Sequence, residues 1–225
     1  MAPSRPYHHG DLKRALVEAS LELLRERGVE ALSVAEVGRR VGVSSAAPYK
    51  HFADRLALMR AVAAEASRLL DAAIVEAVGE TRDPVEAFRL SGVAYVRWAA
   101  LNPALFRLVT DPSLIDYGAA PPYEASAPEA LRGSMETFWI QFGELMRSGE
   151  AIPADHPLIV QLRGRALAHG LASLFVSGVF DSIGISVDDA GRVARAVTGE
   201  GVPPRRRPRS TLAPRPGRRS RPPRS

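Results

Sequence analysis

The run SVAEVGRRVGVSSAAPYKHF, residues 33–52, constrains this chain more than any other stretch. Ser33 followed three residues later by Glu36 has the pattern of a capping box, in which each side chain satisfies an otherwise orphaned N–H at a helix start. Val34, Val37 and Val41 recur at helical spacing and give the segment one apolar face, and Gly42 supplies the permissive backbone that ends it. Ser44 or Ser45 can cap a second helix. Pro48 would break a helix interior, but it lies within the first turn counted from either serine, where its missing N–H costs little. The expectation is a short helix, a glycine-broken turn and a second short helix that carries Ser44, Ser45, Tyr49, Lys50 and His51 outward. A helix of that size fits the major groove of B-DNA, so the segment reads as a helix-turn-helix DNA-binding element.

The flanking sequence supplies the rest of a small helical unit. Leu12, Ala15, Leu16, Ala19 and Leu23 form an apolar stripe on a helix over about residues 11–27, closed by Gly28. Asp54 can cap a longer helix through Leu58, Val62, Ala66, Leu69 and Ala73 to a stop near Gly79.

The remainder also reads as helix. Asp83, Pro84 and Glu86 place a cap, an N1 proline and an N3 acid in order. Asn102 and Pro103 restart a short helix. Residues 111–127 read as a loop, and Ser126, Pro128 and Glu129 cap the helix that bears Phe138 and Phe142 and stops at Gly149. A long apolar helix spans about residues 156–178, and Ser186 to Asp189 open a last one. No segment alternates as a strand does, so the fold class is all-α, a three-helix DNA-binding head followed by a larger helical domain.

The stretch GDLKRALVEASLELLRERGVEALSVAEVGRRVGVSSAAPYKHFADRLALMRAV resembles the DNA-binding domain of the tetracycline-repressor-like (TetR) family of transcriptional regulators. The resemblance covers about residues 8–65 without a gap, and the spacing from Gly28 through Gly42 to Tyr49 and Phe52 carries it. It implies that Ser45, Ala46, Ala47, Tyr49, Lys50 and His51 face DNA, with Ser44 at the mouth of the same turn. It also implies that Ser33 and Arg55 hold phosphates. Residues 163–174 resemble the WHG-type C-terminal domain of a subgroup, with Arg165 where its tryptophan stands, four residues before His169. That implies a ligand-binding and dimerising domain over roughly 83–198, after a head at 8–68.

Charge is divided along the chain in a way the overall +5 hides. Residues 1–60 carry ten Lys and Arg against seven Asp and Glu, residues 61–202 eleven against eighteen, and residues 203–225 nine arginines and no acid. The field draws DNA to the head and repels it from the core. With seven prolines beside those arginines, the tail at 200–225 cannot bury a core and reads as disordered, either a non-specific handle on nucleic acid or a solvated extension. Cysteine is absent, which excludes disulfides and thiolate metal sites. No signal-like or membrane-spanning apolar run appears, so a soluble cytoplasmic protein without a membrane partner is expected. His8 and His9 have no third group at metal-ligand spacing, and no catalytic set or cofactor motif emerges.

Phe88, Tyr95, Trp98, Phe106, Trp139, Phe142, Arg165 and His169 are candidates to line a ligand pocket, although aromatics at helical spacing more often describe a plain core. The small residues between Gly164 and Ser177, including Ala168 and Ala172, let a second helix approach closely, so this helix and residues 187–198 are expected to form a two-fold interface. Together these readings describe a homodimeric regulator, a repressor, that binds palindromic double-stranded operator DNA and is released by a small-molecule effector. A non-specific architectural nucleic-acid binder and a small helical enzyme are the alternatives.

Overall fold

A computed structural model describes residues 9–114, 134–149 and 151–198, and the described residues contain helices and turns with no strand. Helix α1 (His9–Arg27) is followed by a 3-10 turn (Val29–Ala31), α2 (Val34–Val41), a second 3-10 turn (Pro48–Lys50) and the long α3 (Arg55–Val78). The larger half comprises α4 (Pro84–Leu101), α5 (Pro103–Val109), α6 (Ser134–Ser148), α7 (Pro157–Val176), the short α8 (Val179–Ser182) and α9 (Ala190–Val197) after a 3-10 turn (Val187–Asp189).

Local chemistry sets most boundaries. The Asp54 carboxylate accepts from Ala57 N–H at 2.7 Å and starts α3, and Asp83 accepts from Val85 N–H at 2.9 Å and starts α4. Ser186 and Asp189 cap one another reciprocally before α9. Gly42, with φ 79°, ends α2 in the left-handed conformation that residues with a Cβ avoid. His156 caps α7 through its ring, with Nδ1 accepting from Leu158 N–H at 3.2 Å.

Several expectations change. Only half of the capping box at Ser33 forms. The serine hydroxyl accepts from Glu36 N–H at 3.1 Å, while the Glu36 carboxylate turns to Arg39 at 2.7 and 2.9 Å and to Arg27 at 3.2 Å. Two guanidiniums bind a carboxylate more strongly than a neutral N–H does, and they hold it below the usual carboxylate range, Arg39 most of all. The second helix of the motif is a turn plus a 3-10 turn, and α8 is an addition. The expected cap at Ser126, Pro128 and Glu129 lies outside the described residues.

One core joins the two halves. Leu16, Leu23 and Leu24 of α1, Val37 of α2 and Leu58 and Val62 of α3 pack in one cluster with Trp98 of α4, Leu105 and Phe106 of α5 and Ala172 of α7. Helix α5 packs against α1, α3 and α4, so it sits where the head meets the larger domain. A second cluster, built from Val93 and Val96, Leu171 and Phe175, and Ala190 and Ala194, fastens α4, α7 and α9 together.

Candidate nucleic-acid interface and core site

Residues 44–51 close on themselves through short-range backbone bonds. Ala47 N–H donates to the Ser44 carbonyl at 3.0 Å, Lys50 to Ala47 at 3.2 Å, and His51 and Phe52 both to Pro48 at 3.0 Å. Three of these four bonds span three residues, so the segment winds as turns and not as an α-helix, with Pro48 at the first position of the 3-10 turn. Pro48 and Phe52 are buried beneath it. Ser44, Ser45, Ala46, Tyr49 and Lys50 are exposed, and Ala47 and His51 are half-buried. Tyr49 is 51% exposed, with its ring open to a partner. This surface presents an ammonium, a phenol and hydroxyls, the donor types that meet phosphates and base edges.

Ser33 is half-buried at the start of α2, its hydroxyl oxygen already accepting the Glu36 N–H. Arg55 behaves differently from a free phosphate ligand. Its Nε donates to the Leu32 carbonyl at 2.8 Å and one terminal nitrogen to the Val29 carbonyl at 2.9 Å. The guanidinium thus bridges the start of α3 to the 3-10 turn before Ser33. No sequence periodicity signals such a contact, because it joins residues 23 and 26 apart.

In the larger domain the pocket candidates fall into two neighbouring groups. Arg165 of α7 places its guanidinium over the Phe88 ring of α4, 5.6 Å from the centroid, and over the Phe138 ring of α6 at 4.7 Å. Phe142 stacks on Phe138 with centroids 5.8 Å apart. Gly164 makes this approach possible, since a Cβ there would come within 2.5 Å of the Phe88 ring. One turn further along α7, His169 Nδ1 lies 3.0 Å from the Tyr95 hydroxyl, and Phe106 meets Tyr95 edge-on at 5.6 Å and His169 at 5.7 Å. Burial pushes the Tyr95 hydroxyl up to about 12, so it remains a proton donor at neutral pH. Trp98 and Phe106 are buried in the cluster shared with the head. Trp139 lies on α6, and its side chain is outside the described residues.

Asp71 is a residue the sequence pattern passes over. It lies on α3 between Leu70 and Ala72, buried, and desolvation pushes its carboxyl up to about 7. A lone acid on a helix usually faces water, and only its burial in the folded chain makes this one distinctive.

The faces of α7 are also distinguished only in three dimensions. Ala168 and Ala172, which the sequence reading places at an intersubunit contact, are buried within this chain. They pack against α4, where Gly92 approaches Ala168 closely enough that an added Cβ would lie 3.9 Å away. The outward face instead carries Val160, Leu167 and Leu174 at seven-residue spacing, with Arg163, Gly170 and Ser173 between them. Val179 and Ile183, beyond the end of α7, are exposed as well.

Comparison with known proteins agrees with this architecture. Residues 16–62 match the family described as bacterial regulatory proteins, tetR family, and residues 88–198 match the tetracyclin repressor-like C-terminal domain. A solved structure of a protein with unknown function from Rhodococcus sp. RHA1 is 32% identical, with a TM-score of 0.59, and the match covers 86% of this chain and 96% of that one. A TetR/AcrR family transcriptional regulator from Thermobifida fusca YX-ER1 shares the fold at 19% identity and a TM-score of 0.53, covering 83% of this chain and 96% of that one. The nucleoid occlusion factor SlmA of Aliivibrio fischeri (strain MJ11) is 24% identical over 173 residues, 72% of this chain and 82% of that protein. With its helix-turn-helix half and its helical half both matched, the chain belongs to the tetR family of bacterial regulatory proteins and is a DNA-binding transcriptional regulator.

Proposed function

We propose that the protein is a ligand-responsive repressor that binds a palindromic operator as a homodimer and works in the cytoplasm. The observation that carries the reading is the exposed turn bearing Tyr49 and Lys50 on a buried Pro48 and Phe52, a rigid platform with its polar groups turned outward. Ser44, Ser45, Ala46, Ala47, Tyr49, Lys50 and His51 meet the major groove, and Ser33 meets a phosphate. Arg55 serves the same contact by holding the turn before Ser33. Two heads in successive grooves stand about 34 Å apart. The subunits meet through the outward face of α7, where Leu167 and Leu174 are each 41% exposed. An obligate apolar interface is the ordinary reason for such a stripe.

The effector occupies the wall formed by Phe88, Tyr95, Phe142, Arg165 and His169, with Trp139 on the neighbouring α6. Its WHG-type character rests on the His169-Gly170 pair, with Arg165 in place of the tryptophan. Displacing Phe106 moves α5, which touches both α1 and α3, so ligand and DNA oppose one another with a coupling of about 1 to 3 kcal/mol. The test is selection of binding sites from random DNA by the purified protein, followed by the same measurement on Tyr49→Ala and Lys50→Ala. A palindrome with half-sites one helical turn apart is expected, lost or relaxed in the variants. Recovery of no sequence preference, with affinity set only by salt, would replace this reading with that of an architectural binder.

A further inference from the structure

Gly38 lies in the interior of α2 with ordinary helical backbone, a place where glycine weakens a helix relative to alanine and no positive φ calls for it. The reason for a glycine is across the motif. A Cβ on Gly38 would fall 2.4 Å from Pro48 Cγ and 3.4 Å from Pro48 Cδ. The first distance lies far inside van der Waals contact, and a proline ring, closed onto its own backbone, cannot swing aside as the end of a flexible chain does. Both residues are buried. The Gly38 carbonyl also accepts from Gly42 N–H and Val43 N–H, each at 3.1 Å, so one residue anchors the left-handed turn and receives the proline ring. Pro48 in turn accepts from His51 and Phe52 N–H, so its placement fixes the backbone of Tyr49 and Lys50.

We infer that Gly38 and Pro48 form a steric lock that sets how the Tyr49 and Lys50 turn is presented to DNA, which makes Gly38 a positioning residue for base recognition. The inference rests on the proposal that this turn reads the operator. Adding one methyl at 38 forces Pro48 outward by roughly an ångström, the distance between ordinary carbon contact and the 2.4 Å approach. Hydrogen bonds from Tyr49 and Lys50 to base edges do not survive an offset of that size, whereas a general attraction to phosphates does.

The test uses four full-length proteins: the native chain, Gly38→Ala, Pro48→Ala and the double variant. For each, a site is selected from random DNA, affinities for the native site and for unrelated DNA are measured, and thermal midpoints are recorded. In the presence of Pro48, Gly38→Ala is expected to weaken the native site at least tenfold, change the selected sequence and leave unrelated DNA within threefold. In the Pro48→Ala background the same alanine is expected to leave affinity within threefold and to raise the thermal midpoint, because only its helix propensity then remains. If Gly38→Ala fails to fold, recovery of folding and binding in the double variant supports the lock, and failure of the double variant overturns it. Equal affinity and equal sequence preference in the native chain and a folded Gly38→Ala overturn the inference alone. A native chain that selects no site overturns the operator reading and the inference together.

Discussion

The Tyr95 hydroxyl and His169 Nδ1, 3.0 Å apart, form a hydrogen bond that joins α4 to α7 beside the Phe106 ring of α5. The pair therefore touches a residue that belongs to the same packed cluster as Leu16 and Leu58 of the head. Tyr95→Phe removes the bond with almost no change of shape. A loss of about 0.5–1.5 kcal/mol in denaturant unfolding is expected, with operator affinity within threefold and a weakened response to effector. An effector response identical to that of the native chain would place the ligand elsewhere.

Asp71 makes stability depend on pH. Burial raises its folded value from 3.8 to about 7, so ionisation opposes folding. The penalty is absent below the unfolded value, grows as pH rises between the two, and is complete above the folded one. Asp71→Asn is expected to stabilise the protein by roughly 1–4 kcal/mol at pH 8 and to lose that advantage as pH approaches 4. Denaturant titrations of both proteins at pH 5, 6, 7 and 8 measure the slope, and parallel curves would show that Asp71 is solvated.

Charge on the two faces of α7 separates assembly from folding. Leu174→Glu, on the exposed face, is expected to give folded monomers by sedimentation and to weaken operator binding, because two heads no longer act together. Ala172→Glu, at a site with no exposure, is expected to fold poorly. A Leu174→Glu protein that sediments as a dimer would move the interface to another surface.

The arginine-rich end of the chain is tested by salt. If its nine arginines reach phosphates beside the operator, removal of residues 203–225 flattens the fall of log affinity with log salt, each phosphate contact contributing about −0.9 to the slope. The selected sequence is expected to stay the same. Equal slopes would identify the tail as a solvated extension.

What could be read from the sequence is what is local in the chain. Ser33, Asp54, Asp83 and the Ser186–Asp189 pair announce helix starts because a cap bonds to an N–H only a few residues away. Gly42 marks a stop because its left-handed backbone, too, is a property of one residue. The segment at 44–51 reads in sequence as a helix because Pro48 is tolerated near an N-terminus, but it winds as a turn and a 3-10 turn on a ring packed against Gly38, ten positions earlier. On α7 small and apolar residues occur on nearly every side, so periodicity could not separate Ala168 and Ala172, inside, from Leu167 and Leu174, outside. Arg55 and Asp71 owe their behaviour to neighbours distant in sequence, and no spacing rule reaches that far.

Arg55 also bears on how the proposed regulator would transmit a movement. Its guanidinium grips the Val29 and Leu32 carbonyls, so the first turn of α3, the 3-10 segment and the root of α2 are riveted into one block. In the proposed regulator, a tilt of α3 driven from the larger domain would then find no crease beneath the turn at residues 44–51 to absorb it. If the protein works as proposed, a head held this way would move with α3 as one body, and a small rotation at the far end of that 24-residue helix would displace the whole turn that carries Tyr49 and Lys50.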